Sequence, residues 1–197
     1  MQRYANISKY QQIIQYHPFW VQKVDHFSRK NSLIACQNHK ITQENFYTMA
    51  YGLLKGKRGI ISGALNEDSI AWKIAQRAHE EGATFTLTNA PLAMRMGEIN
   101  KLAEETGAKI IGADATSIEE LENLYDESLD FLGGPVDFVL HSIGMSTNIR
   151  KGREYSDLNY EWFLKSLDVS ALSFHKMMQV AQKKDAIAQG GSVVALS

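Results

Sequence analysis

The sequence predicts an α/β fold with a doubly wound parallel sheet, and two observations support this prediction. Short apolar runs alternate with segments that have the spacing of amphipathic helices, and such an alternation is typical of parallel strands joined by right-handed crossovers. The first apolar run ends at Gly63, and small polar residues then begin a helix at Ser69. This strand–turn–helix arrangement is typical of dinucleotide-binding folds, because a glycine lets the backbone approach a pyrophosphate that faces the helix N-terminus. The sequence therefore predicts a Rossmann-like domain.

Each element is predicted from its own local pattern. Glycines 82 and 107 end two of the helices. Ser117 supplies a capping hydroxyl to a further helix, and acidic residues follow in its first turn. The predicted strands are residues 58–62, 84–88, 109–112, 136–141 and 191–197, and the predicted helices are residues 69–81, 94–106, the helix that begins at 116–117, and 168–184.

Length and composition limit the class of protein. A chain of 197 residues with 44% hydrophobic residues can hold one domain with a substantial core. The net charge of −1 gives no reason to expect nucleic acid or an anionic membrane as a partner. No run approaches the roughly eighteen apolar residues of a membrane span. The single cysteine, Cys36, excludes an intramolecular disulfide and a cysteine-based zinc cluster, and it fits a reducing cytoplasm.

Residues 1–48 differ from the rest of the chain. They are rich in Gln, Asn, Lys, His and Tyr, lack glycine, and show no sustained helical or strand period. A targeting segment is disfavoured, because there are only two arginines and no apolar central region. Two other interpretations stay open: a start that lies at Met49 with upstream DNA read through, or a disordered extension. We therefore predict a leader at 1–48 and a dinucleotide-binding domain at 49–197.

Several motifs in order and spacing resemble one family. Gly63 is followed by Ser69-Ile70-Ala71 in place of the usual Gly-x-Gly-x-x-Gly, and His141-Ser142-Ile143-Gly144 stands where ordinary short-chain dehydrogenase/reductases carry Asn-Asn-Ala-Gly. Asp114-Ala115 and Ser173-Phe174-His175 fit the same pattern. From about Met49 to the last residue, the chain resembles the bacterial enoyl-acyl-carrier-protein reductases, a divergent branch of that superfamily.

The resemblance implies a reaction, a cofactor and partners. It implies NADH-dependent reduction of trans-2-enoyl thioesters on acyl carrier protein in fatty acid biosynthesis, by a homotetramer. The family's catalytic tyrosine and lysine would follow Ser197, so no catalytic residue is assigned, and we expect a fold that is incomplete at its C-terminus and an inactive chain. A non-catalytic NAD-binding fragment remains as an alternative. The other alternative is a different reductase of the same superfamily, such as a ketoacyl reductase, but the residues at 63–70 and 141–144 contradict its motifs.

The resemblance also assigns cofactor and substrate contacts. Gly63 and the helix start would face the pyrophosphate, Asp114 would accept from the adenine amino group, and Gly144 would admit the ribose. Each has a structural alternative: a strand-end glycine for Gly63, helix capping for Ser69, and a turn residue for Asp114. A substrate contact through the backbone is assigned to Ser146. The predicted cofactor-binding residues are Gly63, Ser69, Ile70, Ala90, Asp114, Ala115, Ser142, Ile143 and Gly144.

The end of the second strand carries no cofactor signature. An acid there would favour NAD and an arginine would favour NADP, but the sequence reads Thr88-Asn89-Ala90. Ala90 can offer only its backbone to the adenosine, and Arg95 is interpreted as a solvated residue of a first helical turn. The choice of NADH over NADPH therefore follows from the resemblance and not from this loop.

The histidines and the aromatic residues are given structural roles. We interpret His141 as a satisfied core residue, and His175 has no second ligand at helical spacing, so no metal site is predicted. The apolar residues of the helix at 168–184, namely Val169, Leu172, Met177 and Val180, are expected to pack in the core or in a subunit interface. Tyr155, Tyr160 and Trp162 are interpreted as packing residues.

Overall fold

A five-stranded, all-parallel sheet forms the centre of the fold, in the order β3-β2-β1-β4-β5. This computed structural model describes residues 50–196; the predicted leader at 1–48 and the last predicted strand residue, Ser197, lie outside them. Because β1 has β2 on one side and β4 on the other, the chain order reverses at β1. The carboxyl ends of β1 and β4 therefore form the position at which open α/β sheets bind ligands. The strands are β1 (Arg58–Ser62), β2 (Thr84–Thr88), β3 (Lys109–Ile110), β4 (Val136–His141) and β5 (Ile187–Ala195).

Helices connect these strands. Within the described residues no helix combines the length and the apolar composition needed to cross a bilayer. A 3₁₀ turn covers Tyr155–Asp157, and a π-helical segment, Asp168–Leu172, joins the last two helices. The helices are α1 (Ile70–Glu80), α2 (Pro91–Met96), α3 (Ile99–Thr106), α4 (Ile118–Leu132), α5 (Thr147–Arg150), α6 (Tyr160–Leu167) and α7 (Ser173–Lys183).

Strands β1, β2 and β4 have the predicted bounds, whereas the two edge strands do not. β3 is shorter than predicted, although the Ile111 and Ala113 N–H groups still donate to carbonyls at the end of β2. β5 starts earlier than predicted, at Ile187, and its pairing with β4 is irregular between Val136 and Phe138. An edge strand has a partner on one side only, so local irregularity costs it fewer hydrogen bonds.

The predicted helices at 94–106 and 168–184 are each wrong in extent. The first is two helices, α2 and α3, because the chain turns at Gly97, where a Cβ would lie 2.5 Å from the Leu65 carbonyl oxygen. The second is part of a longer helical run that begins at Tyr160 and contains the π-helical segment. Gly107 ends α3 in the left-handed conformation, as predicted.

Two buried clusters lie against the sheet. One contains Ile60, Leu124, Tyr125 and Met177 and packs between the sheet and helices α4 and α7. The other contains Trp72 and packs between the sheet and helices α1 and α3. Helices on both faces of a parallel sheet make the doubly wound architecture that the sequence predicts.

Candidate functional site

A cleft of about 310 Å³ lies at the carboxyl ends of β1, β2 and β4. It brings together five of the predicted cofactor-binding residues: Gly63, Ala90, Ser142, Ile143 and Gly144. The other predicted residues, Ser69, Ile70, Asp114, Ala115 and Ser146, are not among those that line it. The remaining lining residues are mostly apolar, with one cationic side chain, and they are Leu65, Asn89, Leu92, Ala93, Met145, Arg150 and Val169.

Gly63 is required by the packing of the chain itself. Its φ is +91°, and a Cβ there would lie 1.8 Å from the Ser142 carbonyl oxygen. The turn after β1 therefore touches the turn after β4, and no side chain fits between them. Gly63 thus lets the two turns pack directly against each other beside the cleft. This structural role was not predicted, since the resemblance assigned Gly63 a contact with the pyrophosphate.

Gly144 has the opposite environment. A Cβ at this position would meet no atom of the described chain within 4 Å, and its φ is not in the left-handed region. Neither strain nor crowding within the chain therefore requires a glycine here. Gly144 lines the cleft, and its predicted contact with the ribose stays a prediction.

Ser69 precedes α1 but does not cap it with its side chain. Its Oγ accepts hydrogen bonds from the N–H groups of Leu65 and Asn66, at 3.1 and 3.0 Å, and donates to Asn66 Oδ1. The predicted capping role of its side chain is wrong, because the hydroxyl closes the turn between β1 and α1 instead. The Ser69 N–H donates to the Asn66 carbonyl oxygen at 3.0 Å, and the Trp72 N–H donates to the Ser69 carbonyl oxygen at 3.1 Å. The phosphate contact predicted for Ser69 and Ile70 stays a prediction.

The Asn89 side chain joins the loop after β1 to the loop after β2 by hydrogen bonds. Its Nδ2 donates to the Ala64 carbonyl oxygen at 3.1 Å, and its Oδ1 accepts from the Ala90 N–H at 2.9 Å. The Ala90 carbonyl oxygen in turn accepts from the Met94 N–H at the start of α2. The backbone groups that Ala90 was predicted to offer to the adenosine therefore already have partners, and its part in the cleft is to line it. Arg95 is exposed, as expected of a solvated residue, but it lies in the last turn of α2 and not in a first turn, because the helix begins at Pro91.

Asp114 forms a turn after β3. Its Oδ1 accepts from the N–H of Thr116 at 2.9 Å and from the Thr116 hydroxyl at 2.8 Å, so the structural alternative describes what this oxygen does. The Asp114 N–H donates to Glu120 Oε2 at 2.7 Å, and Ser117 caps α4 as predicted. Ala115 is 8% exposed and its side chain belongs to the core. The adenine contacts of Asp114 and Ala115 stay a prediction.

The loop after β4 carries the other wall of the cleft. Ser62 Oγ donates to the Leu140 carbonyl oxygen at 2.8 Å and accepts from the Ser142 N–H at 3.4 Å, which joins the ends of β1 and β4. Ile143 is half-buried and packs against the cluster that contains Ile60. Ser146 Oγ caps the short helix α5 by accepting from the Ile149 N–H. The Ser146 carbonyl oxygen accepts from the Arg150 N–H at 3.1 Å, and the substrate contact through its backbone stays a prediction.

Ser170 of the π-helical segment holds this same loop. Its Oγ accepts from the Met145 N–H at 3.0 Å and donates to the Met145 carbonyl oxygen at 3.2 Å. The neighbouring Val169 lines the cleft. π-Helical segments are frequent at functional sites, and this one presents two consecutive residues to the cleft region. Sequence patterns do not show a π turn, and the role of Ser170 was therefore not predicted. The role of Asn89 was not predicted either.

His141 is buried, as predicted for a structural residue. It is 1% exposed, its Nε2 lies 2.8 Å from Ser173 Oγ, and its ring meets Phe174 edge-on. Ser173 Oγ gives its one hydrogen to the Val169 carbonyl oxygen, so it accepts from the protonated Nε2 of His141. Burial lowers the pKa of His141 below its usual range. A neutral His141 therefore fixes the end of β4 against α7.

Some of the residues that were expected to pack in and before the last helix are buried, and others are exposed. Met177 and Val180 are buried in the core, whereas Leu172 is 54% exposed. The packing roles expected for Tyr155 and Tyr160 are wrong within this chain, since these side chains are 91% and 77% exposed. The half-buried Trp162 has the Arg153 guanidinium 5.7 Å from its ring centroid.

Known proteins resemble this chain over the part that forms the cleft. The crystal structure of the Alistipes finegoldii FabI–NADH complex is 60% identical, with a TM-score of 0.73, over 75% of this chain and 52% of that chain. An Anaplasma phagocytophilum enoyl-(acyl-carrier-protein) reductase in complex with NAD is 29% identical, with a TM-score of 0.64, over 73% of this chain and 54% of that one.

Curated relatives give the same result. The enoyl-[acyl-carrier-protein] reductase [NADH] FabI of Rickettsia bellii is 40% identical over 153 residues, which are 76% of this chain and 56% of the relative. A Rhizobium meliloti enoyl-[acyl-carrier-protein] reductase [NADH] is 35% identical over 150 residues, 75% of this chain and 53% of the relative. The chain thus spans about half the length of the curated relatives it matches. The family model described as enoyl-(acyl carrier protein) reductase matches residues 63–197, and the chain belongs to this family.

Proposed function

We propose that residues 50–196 form the NADH-binding part of an enoyl-acyl-carrier-protein reductase. The observation that carries this proposal is the cleft at the point where the strand order reverses. Gly144 lines this cleft, although the described chain itself leaves room for a Cβ at that position. Its position fits a dinucleotide, because ligands of open α/β sheets bind outside the carboxyl ends of such strands. Two relatives solved in complex with NADH or NAD, and a curated relative named for NADH, support the choice of cofactor.

The proposed cofactor-binding residues follow the order of the strands. Gly63 and the first turn of α1 face the pyrophosphate, the loops after β2 and β3 face the adenosine, and the loop after β4 faces the ribose and nicotinamide. Within this arrangement Gly144 leaves space, Ile143 covers the cofactor, and the backbone of Ser146 meets the substrate. When bound, NADH supplies the hydride that reduces the substrate double bond.

The proposed substrate is a trans-2-enoyl thioester carried by acyl carrier protein, in fatty acid biosynthesis in the cytoplasm. The names of the relatives support the carrier-bound substrate. The side chains at the mouth of the cleft are compatible with it, because Leu65, Leu92 and Met145 give an apolar lining that an acyl chain can contact.

Two measurements on the purified chain test this proposal. One is an NADH titration, and the other is NADH consumption in the presence of a trans-2-enoyl thioester. Saturable binding together with turnover supports the reductase. Binding without turnover supports a non-catalytic NAD-binding role for this chain. Absence of NADH binding overturns both.

We propose that the whole protein is a homotetramer. Helix α6 supports this, because it has no buried residue and exposes large apolar side chains. A second copy of the chain is the simplest partner to cover a face of this composition. The exposed fractions are 77% for Tyr160, 44% for Phe163, 64% for Leu164 and 44% for Leu167.

A further inference from the structure

Lys176 connects a loop and a helical segment that flank opposite ends of the proposed cofactor site. Its ammonium group donates to the Thr116 carbonyl oxygen at 3.0 Å and to Asp168 Oδ1 at 2.8 Å. Thr116 lies in the loop between β3 and α4, and Asp168 begins the π-helical segment. One side chain therefore joins the loop that precedes α4 to the segment beside the β4 loop.

The bond to Thr116 supports the conformation of the adenosine-side loop. Thr116 directs its N–H and its hydroxyl to Asp114 Oδ1, while its carbonyl oxygen accepts from Lys176. The residue is thus held by hydrogen bonds on both its donor and its acceptor groups. If the bond to Lys176 is lost, the turn that orients the Asp114 carboxylate keeps its bonds to Glu120 and Ser117 but loses its connection to α7.

The bond to Asp168 supports the other end of the site. In a regular α-helix, residues eight positions apart are rotated by about 80° from each other. The wider turns of the π-helical segment between Asp168 and Lys176 reduce this rotation, so the two side chains meet on one face. The next two residues of the segment are Val169, which lines the cleft, and Ser170, which holds both backbone groups of Met145.

We propose that Lys176 is a positioning residue that couples the adenosine-side loop to the loop after β4, so that both ends of the cofactor meet correctly placed groups. This inference rests on the proposed function, since it takes the cleft to bind a dinucleotide. Lys176 acts through Thr116 and Asp168 and does not itself touch the cofactor.

Lys184 offers a matched control on the same side of the fold. It directly follows α7, and its ammonium group pairs with Asp126 Oδ1 and Oδ2 of α4 at 2.6 and 2.7 Å. The side chains of Lys176 and Lys184 are exposed to 25% and 23%. Both lysines therefore connect the α7 region to the α4 region and have similarly exposed side chains. Lys184 does so by an ion pair with α4, whereas Lys176 donates to the Thr116 carbonyl oxygen and pairs with Asp168 of the π-helical segment.

The test compares K176M, K184M and D168N in the full chain, with NADH and 5′-AMP as probes. K176M should raise the Kd of both probes by about fivefold, the change expected when one hydrogen bond or partly exposed ion pair is lost. D168N should raise the Kd for NADH but leave that for 5′-AMP within about twofold, since the Thr116 bond remains. K184M should leave both unchanged. Equal behaviour of K176M and K184M would overturn the inference.

Amide hydrogen exchange without ligand separates this inference from the proposed function. The Thr116 and Met145 N–H groups report on the two loops, because each donates to a side chain that the network positions. K176M should speed exchange at both amides relative to K184M. A change at one amide only, or at neither, overturns the coupling whether or not NADH binds. Wild-type protein that binds no NADH overturns the proposed function, and with it the cofactor role of Lys176.

Discussion

Replacement of Gly144 by alanine should affect stability and cofactor binding in opposite directions. The added Cβ meets nothing within 4 Å, and the backbone conformation is open to alanine. A glycine-to-alanine change at such a position stabilises a protein by about 0.4–1 kcal/mol, because the unfolded chain loses conformational entropy. In the proposed complex, however, the methyl group occupies space that the ribose needs.

The expected loss of affinity follows from the cost of overlap. One methyl group too many in a packed contact costs about 1–3 kcal/mol, which corresponds to a roughly 5- to 150-fold rise in the Kd for NADH. Urea unfolding measures the first effect and a fluorescence titration with NADH the second. A Gly144→Ala protein that keeps its NADH affinity within about twofold would refute the assignment of this space to the cofactor.

Gly63→Ala is the contrasting variant. Its φ of +91° and the 1.8 Å approach of a Cβ to the Ser142 carbonyl oxygen require the turns after β1 and β4 to separate. Backbone strain and overpacking each cost about 1–3 kcal/mol, so the free energy of unfolding should fall by about 2–6 kcal/mol. A Gly63→Ala protein as stable as the wild type would contradict the close contact of the two turns.

Three further predictions concern stability and assembly. Because burial lowers the pKa of His141, the folded chain binds fewer protons than the unfolded chain near the pKa of this residue. The free energy of unfolding should therefore fall as the pH drops below about 6.5, in total by about 1.4 kcal/mol for each unit by which folding lowers the pKa. Thermal unfolding of His141→Gln should lack this pH-dependent component. The pKa of Glu81 is lowered by the N–H groups of Leu53 and Tyr51 and by Arg77. The ionised Glu81 should therefore stabilise the fold above about pH 4.5, and this contribution should be lost below that pH. Urea unfolding in which Glu81→Gln is as stable as the wild type at pH 7 would contradict this. Leu164→Asp should reduce the oligomer to smaller species in sedimentation velocity without loss of secondary structure, and an unchanged sedimentation coefficient would argue against an interface at α6.

Asn89→Ala should weaken both the fold and the cleft, since the Ala64 carbonyl oxygen and the Ala90 N–H lose their partner. The expected cost is about 1–3 kcal/mol of unfolding free energy, the range for polar groups left unsatisfied. Asn89→Asp keeps the acceptor but not the donor and should lie between the two proteins. Urea unfolding of all three orders them, and equal stability of Ala and wild type would show that this clamp contributes nothing.

The central strands could be predicted because each is a short run of mainly apolar or β-branched residues. Ile60 and Ile61 in β1, Leu87 in β2 and Val139 in β4 are all at most 1% exposed. The edge strand β5 was harder to predict because most of its residues are exposed or half-buried, and its pairing contains an irregularity that no local pattern shows. The parallel direction of the strands followed from the alternation of elements, whereas their order in the sheet was not predicted.

The site was predicted in outline and not in its side-chain roles. Motif positions brought Gly63, Ser142 and Gly144 to one cleft, since glycines and short loops at strand ends have few alternatives. Ser69 binds its own loop instead of capping α1, and several hydrogen-bond acceptors lie within reach of such a hydroxyl. The π-helical segment depends on tertiary contacts such as Ser170 with Met145, which a helical period in the sequence does not contain.

The central claim is that the cleft at the ends of β1, β2 and β4 binds NADH. Amide hydrogen exchange of the full chain with and without NADH tests it most directly, because the exchange map locates the ligand as well as detecting it. We predict slower exchange in three segments, 63–70, 88–90 and 142–145, and unchanged exchange in helix α6. Protection confined to other segments, or no protection at saturating NADH, would contradict the claim.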